Sequence, residues 1–212
     1  MKRIDHDKTQ SQRVLAYQVL EWLTRAKRAL TLSELRHALA VEPDSADSYL
    51  DEENLPEEDE LVSACAGLAI VDKASGIVRL VHHTAQDFFE KNRVQVFPGD
   101  ERGIASICLK YLSFKGLSGP CNSDDEYESR LRSNSFYSYA ARNWGHHAHN
   151  SDSSQTFDWI LKLIKDPNRV EAMSQALFTG GQESIFETHY PGYSQLFPRQ
   201  MHDLALTKRF SN

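Results

Sequence analysis

The feature that most constrains the fold is a pair of short β-forming runs within a sequence of otherwise helical periodicity. The two runs occupy residues 69–72 and 77–81, and Lys73-Ala74-Ser75-Gly76 separates them. A four-residue connection that contains glycine, placed between two runs rich in Val and Ile, is typical of a β-hairpin.

Three helical segments precede this hairpin. From residue 12 onward, apolar side chains recur along one helical face. Thr31 and Glu34 have the spacing of a capping box, which predicts a second helix over about residues 32–40. Pro56 before four acidic residues predicts the start of a third helix, which Gly67 ends. The order of three helices and a hairpin is that of a winged helix.

The sequence after the hairpin has helical periodicity throughout. One helix is predicted to open at Thr84 and to end near Pro98, and residues 116–125 are predicted to form a loop. Further helices are predicted around residues 104–112, 137–144, 157–164 and 170–178. The apolar stripe of the third of these consists of Phe157, Ile160, Leu161 and Ile164.

We therefore predict a mainly α fold, in which a winged helix of three helices and a β-hairpin is followed by a helical bundle or a short α-solenoid. The predicted boundaries are 1–95 for the winged-helix domain, 96–196 for the helical domain and 197–212 for a tail.

Charge is distributed unevenly along the chain. The formal net charge is −6, and residues 41–60 contain ten acidic residues and no basic residue. A block of one sign is usually a solvated loop, and the alternative is an acidic docking strip for a basic partner.

Several classes of protein are disfavoured by composition. No apolar run has the roughly 18–20 residues of a membrane helix, and the N-terminus has no apolar signal region. Cys65, Cys108 and Cys121 are widely spaced, which favours reduced thiols over a disulfide framework or a zinc site. We expect a cytoplasmic protein without membrane contact.

Four segments resemble a known family. Residues 13–92 are similar to the winged helix that follows the ATPase module of fungal NACHT–ankyrin signalling proteins, a domain also catalogued as the GPI inositol-deacylase winged helix. The resemblance rests on residues 29–35 (Ala-Leu-Thr-Leu-Ser-Glu-Leu), 65–68 (Cys-Ala-Gly-Leu), 78–89 (Val-Arg-Leu-Val-His-His-Thr-Ala-Gln-Asp-Phe-Phe) and 136–148, which contains Tyr-Ala-Ala, Trp and His-Ala.

The resemblance implies a switch. In such proteins the winged helix folds back on the ADP-bound ATPase, and a histidine after the second wing strand contacts the phosphate. His82 holds that position, and the alternative is a plain junction histidine bonded to backbone. This sequence has no Walker A loop, so we expect no cofactor in this chain, and His82 would contact nucleotide only when joined to an ATPase module.

Met201-His202-Asp203 matches a signature of plant immune receptors, but it follows the helical region and no strand precedes it. Residues 200–206 are instead similar to the opening of an ankyrin repeat, or match it by chance.

Three other functions have little support. The third helix opens with acids and has no basic residue, which disfavours DNA binding. Adjacent histidines on a helix point about 100° apart, so neither His82-His83 nor the cluster at His146, His147 and His149 is expected to bind a metal. Cys65 lies on an apolar face, and no catalytic motif is present, so no enzyme is expected.

The function predicted is a non-catalytic regulatory relay between an ATPase module and ankyrin repeats, both partners in cis, with no nucleic acid and no membrane. The alternative is a stand-alone protein–protein interaction module, and winged-helix DNA binding is third.

Overall fold

A computed structural model describes residue 4 and residues 8–97, 102–149 and 154–179 of this chain. The helices are α1 (Gln10–Arg25), α2 (Leu32–Leu39), α3 (Glu58–Ala64), α4 (His83–Lys91), α5 (Arg93–Val96), α6 (Arg102–Leu112), α7 (Asp124–Ser133), α8 (Tyr137–His149), α9 (Ser154–Lys165) and α10 (Pro167–Thr179). The strands are β1 (Leu30–Thr31), β2 (Ala69–Val71) and β3 (Ile77–Leu80). The predicted fold class is confirmed: the chain is mainly helical, with a winged helix before a helical region.

Capping boxes start the first two helices. Thr9 accepts the N–H of Gln12 and begins α1, two residues before the predicted start. Thr31 accepts the N–H of Glu34, and the Glu34 carboxylate accepts the N–H of Thr31, which confirms the box predicted for α2. Each box satisfies two backbone donors that the first helical turn would otherwise leave unpaired.

The predicted hairpin is confirmed, and a third strand joins it. β1 pairs with β3 on the side opposite β2, giving the antiparallel order β1-β3-β2. Sequence reasoning missed β1 because two residues are too few to show a period of two. Asp72 stabilises the hairpin turn, since its carboxylate accepts the N–H groups of Ala74 and Ser75, and these bonds lower its pKa.

The winged helix is built around α1, which packs against α2, α3, α4 and β3. The turn after α3 is left-handed: Ala66 has φ 50° and Gly67 has φ 84°. This turn sends the chain directly into β2, and Val81 then donates to the Leu68 carbonyl across 3.0 Å. The end of α3 therefore fixes the point at which β3 gives way to α4.

The helical region is a bundle. α6 packs against α8 and α9, and α10 packs against the same two helices, so the four helices close on one another. A solenoid, the other form that we predicted, would stack its helices in sequence order. α7 lies within the segment between α6 and α8 and was not predicted.

The stripe predicted for α9 is correct at Ile160, which packs against the core, and wrong at Phe157. Phe157 is 59% exposed, whereas Leu163 is the buried apolar residue of this helix. Periodicity placed α9 correctly but assigned an exposed residue to the core.

Buried residues of the winged helix and of the bundle belong to one hydrophobic core. None of the described helices is both long and apolar enough to cross a membrane. Residues 180–212, including the predicted tail and Met201-His202-Asp203, lie outside the described residues.

Candidate functional site

His82 is the N-cap of α4 and lies at the surface. Its Nδ1 accepts the backbone N–H of Thr84 across 3.2 Å and lies 2.9 Å from the Thr84 hydroxyl. We had predicted that Thr84 opens this helix, and the structure places the cap two residues earlier. An imidazole nitrogen is an unusual cap, but it supplies the acceptor that an Asn or Ser oxygen would supply.

The cap determines which tautomer His82 adopts. A backbone N–H is always a donor, so Nδ1 must be unprotonated, and in the neutral ring Nε2 carries the hydrogen. No described residue hydrogen-bonds to that Nε2. His82 therefore presents one N–H donor outward, and an N–H donor suits an anionic oxygen.

Apolar side chains flank this histidine. Val81 precedes it and Phe88 lies one turn beyond Thr84, and each is 46% exposed. The neighbouring Phe89 is buried and packs against Phe97, so it anchors α4 while Phe88 remains outside. The surface formed by Val81, His82, Thr84 and Phe88 thus combines a single donor with exposed apolar area, and we call it the junction surface.

The third helix presents a different surface. Residues 57–60 are acidic and exposed, and α3 contains no basic residue. Arg36 is the nearby cation, and its guanidinium is bound to the Pro56 carbonyl at 2.8 Å and to the Glu58 carboxylate at 3.4 Å. This helix therefore offers carboxylates where a DNA-reading helix would offer donors to phosphate.

The contact between the winged helix and the bundle is built from aromatic rings. Trp22 of α1 packs edge-on against Phe136 and Tyr139, with ring centroids 5.4 and 5.9 Å apart. All three side chains are 2% exposed or less. Edge-to-face geometry adds to the free energy that burial of such rings already contributes.

Buried polar groups align this contact. The Tyr139 hydroxyl accepts the backbone N–H of Lys27, just beyond α1, across 3.0 Å. The same hydroxyl lies 2.9 Å from Nε2 of His147, which is fully buried. The hydroxyl thus accepts from Lys27 and shares a second hydrogen bond with His147, whose direction depends on the tautomer of that ring.

An ion pair lies at the edge of this contact. Arg28 bonds both carboxylate oxygens of Glu34, at 2.6 and 2.9 Å, and its guanidinium lies 5.2 Å from the centre of the Tyr139 ring. Glu34 is 7% exposed and also closes the α2 capping box. The carboxylate therefore links the start of α2 to the aromatic contact.

A second, part-buried hydrogen bond joins the two regions. Nδ1 of His37, on α2, lies 2.9 Å from the hydroxyl of Tyr111, on α6. Burial, with the nearby Arg36, lowers the pKa of His37, and burial raises the pKa of Tyr111. Both pKa shifts favour a neutral His37 imidazole that accepts a hydrogen bond from the un-ionised hydroxyl of Tyr111.

His147 of the α8 histidine cluster has a structural partner, and the three cysteines are buried free thiols. His147 is bound to Tyr139, and among the described residues no three His, Cys, Asp or Glu side chains are grouped so that they could hold a metal ion. Cys65 and Cys108 are fully buried, and burial raises the pKa of the Cys65 thiol to about 12. At neutral pH such a thiol is protonated and is a poor nucleophile.

Comparisons with known proteins agree with this architecture. Residues 5–98 match the family of the GPI inositol-deacylase winged helix domain. Over 149 residues, 63% of this chain, the sequence is 30% identical to the azaphilone pigments biosynthesis cluster protein L of Monascus ruber. The chain spans only 30% of the length of that relative. No solved structure gives a significant match. Residues 5–98 are therefore a winged-helix domain whose sequence is similar to the GPI inositol-deacylase winged helix family.

Proposed function

We propose that this chain is a non-catalytic regulatory relay between a nucleotide-binding ATPase module and an ankyrin-type repeat array, both joined to it in cis. The location would be cytoplasmic, without contact to membrane or nucleic acid. The proposal extends the resemblance of the winged helix and of residues 136–148 to fungal NACHT–ankyrin proteins.

The observation that carries the proposal is the shared core of the two regions. Trp22 packs edge-on against the stacked rings of Phe136 and Tyr139, and two part-buried hydrogen-bonded pairs, Lys27–Tyr139 and His37–Tyr111, cross the same contact. A contact of this kind resists bending, because a rotation would break both hydrogen bonds and expose buried aromatic rings. A rotation applied to the winged helix is thus transmitted to the bundle.

The junction surface would be the input of this relay. In the resting state His82 would hold an anionic phosphate oxygen of the nucleotide through its Nε2–H, and Val81 and Phe88 would pack against the ATPase module. Without that acceptor the winged helix and bundle would be released and would rotate away together. This chain would then contribute a single hydrogen bond to the nucleotide and no catalytic residue.

Reading the coding sequence on either side of this chain is the first test. An uninterrupted frame that encodes a Walker A loop upstream supports the relay. Its absence over the length of an ATPase module would refute it and would favour the second candidate.

The second test is nucleotide retention in the full-length native protein. His82→Asn keeps an acceptor for the Thr84 N–H, but its shorter side chain places no donor at the position of Nε2, so ADP should dissociate about tenfold faster. His83→Ala is the comparison variant: His83 is exposed and caps nothing, and its ring lies 4.1 Å from that of His82, so this change removes the ring contact and keeps the donor. Equal rates for His82→Asn and the wild type would remove His82 from the mechanism.

The second candidate function is a stand-alone protein–protein interaction module. The exposed Val81 and Phe88 favour it, since exposed apolar groups beside a polar anchor are typical of protein interfaces. DNA binding is disfavoured by the exposed carboxylates at the start of α3.

A further inference from the structure

A cavity of about 350 Å³ opens between the winged helix and the bundle. The segment after α2 forms one wall, and α6, α9 and α10 form the others. Its lining consists of Pro43, Ser45, Leu109, Lys110, Ser113, Trp159, Lys162, Leu163 and Arg169. The volume lies at the lower end of the range for small-molecule sites.

The charge of this lining is opposite to that of the chain. Lys110, Lys162 and Arg169 are cationic, and none of the nine lining residues is acidic, although the formal net charge of the whole chain is −6. Like charges brought together raise the electrostatic free energy unless an anion compensates them. A cationic cavity in an acidic protein therefore favours an anionic ligand.

Two of the cations are held in place by backbone carbonyls. Lys110 donates to the carbonyls of Ser45 and Asp47 at 2.7 and 2.9 Å. Arg169 donates to the carbonyls of Leu112 and Phe114 at 2.7 and 3.2 Å. These bonds position both cations, and they leave the charge of Lys110 uncompensated because a carbonyl carries only a partial charge.

Carboxylates near the cavity are already engaged. Asp166 pairs with Nε of Arg169 at 3.1 Å, and Asp44 accepts from Gln155 of α9. Lys162 is exposed and has no hydrogen-bond or ion-pair partner among the described residues. Its ammonium is therefore the donor most available to a ligand.

The remaining lining is apolar. Leu109 and Leu163 are buried at the base of the cavity, and Trp159 is half-buried beside them. The indole of Trp159 and the two leucines can pack against a planar ring of a ligand, and the cationic side chains can bind a charged group on the same ligand.

We propose that this cavity binds a small aromatic anion, with its phosphate or carboxylate at Lys162, Lys110 and Arg169 and its ring against Trp159. The ligand would contact the segment of Ser45 and three bundle helices at once. Binding would therefore tighten the contact between the two regions and raise the stability of the chain.

Titration with phenyl phosphate and with benzoate, followed by calorimetry and tryptophan fluorescence, tests this proposal. We expect saturable one-to-one binding of at least one probe with a dissociation constant on the order of 1 mM or tighter. Inorganic phosphate alone should bind at least tenfold more weakly than phenyl phosphate, since it lacks the ring. The ratio of the two aromatic probes shows whether the site prefers phosphate or carboxylate.

Lys162→Ala should weaken binding about tenfold without a change in melting temperature, since this side chain supports nothing else. Lys165→Ala is the matched control, as it removes an exposed cation of α9 that does not line the cavity. Trp159→Phe should abolish the fluorescence change. Equal loss of affinity in the two lysine variants, or no saturation by either aromatic probe, would overturn the proposal.

Discussion

The hydroxyl of Tyr139 accepts the backbone N–H of Lys27 across 3.0 Å, although the two residues are 112 positions apart in the sequence. Lys27 lies two residues beyond the end of α1. The Tyr139 hydroxyl of the bundle thus binds the backbone just after the first helix of the winged helix.

Tyr139→Phe should lower the free energy of unfolding by about 1–3 kcal/mol, because it removes the hydrogen bonds of the buried hydroxyl to the Lys27 N–H and to the His147 ring. Urea denaturation measures this loss. Tyr127→Phe is the control, since its hydroxyl makes no hydrogen bond with a described residue, and it should change stability by less than about 0.5 kcal/mol. Similar losses in both variants would show that the bond contributes nothing specific.

His82→Ala should lower the free energy of unfolding by about 1 kcal/mol, since it removes the cap of α4. For a chain of this size that corresponds to a decrease of about 2–4 °C in melting temperature. His82→Asn keeps an acceptor and should remain within about 0.5 kcal/mol of the wild type. If both variants lost the same amount, the contribution of His82 would not be capping.

Stability should decrease on acidification through His37. Its pKa is lowered in the folded protein, mainly by burial, from an ordinary value of 6.5. Below pH 6.5 the unfolded chain binds a proton that the folded chain does not, so stability falls as the pH falls toward the folded pKa. His37→Gln should flatten this part of the wild-type stability curve, measured by urea denaturation at successive pH values. Parallel curves for the two proteins would refute the prediction.

Substitutions at the two residues of the left-handed turn after α3 should change the melting temperature in opposite directions. Ala66 adopts φ 50°, which costs a residue with a Cβ about 1 kcal/mol, so Ala66→Gly should raise the melting temperature. Gly67 adopts φ 84° and has open space around the position of a Cβ, so Gly67→Ala should lower the melting temperature through backbone strain alone. Shifts of the same sign in both variants would contradict this account.

The thiols of Cys65 and Cys108 should resist alkylation in the folded protein. Cys65 and Cys108 are fully buried, and burial raises the pKa of both, to about 12 for Cys65. Iodoacetamide at pH 8 should therefore leave both unmodified until urea unfolds the chain, as mass spectrometry of the digested protein would show. Rapid labelling of Cys65 in the folded protein would reopen a catalytic role.

Local patterns predicted most of the fold. The spacing of Thr31 and Glu34 identified the start of α2, and the runs around Gly76 identified the hairpin, because both depend on residues a few positions apart. The start of α7 has a similar capping pattern, although this helix was not predicted. Ser123 accepts the N–H of Glu126, and the Glu126 carboxylate accepts the N–H of Asn122.

The candidate site was predicted only in part. The position of His82 followed from the end of the hairpin, but its role as a cap did not, because histidine is rarely an N-cap and Thr84 is a better candidate by residue type. The bonds that join Tyr139 to Lys27 and His37 to Tyr111 have no counterpart in the sequence, since periodicity carries no information on partners so far apart. The cationic cavity was missed for the same reason.

The burial of Trp22 by residues of α8 also sets an order of events during synthesis. At 5–20 residues per second, the ribosome needs on the order of ten seconds to add the 112 positions that separate Lys27 from Tyr139. Throughout that interval the face of α1 that carries Trp22 lacks its partner. During synthesis the Trp22 side chain of the winged helix therefore lacks the rings that later cover it. A chaperone that binds exposed aromatic side chains would bind the nascent chain at this point.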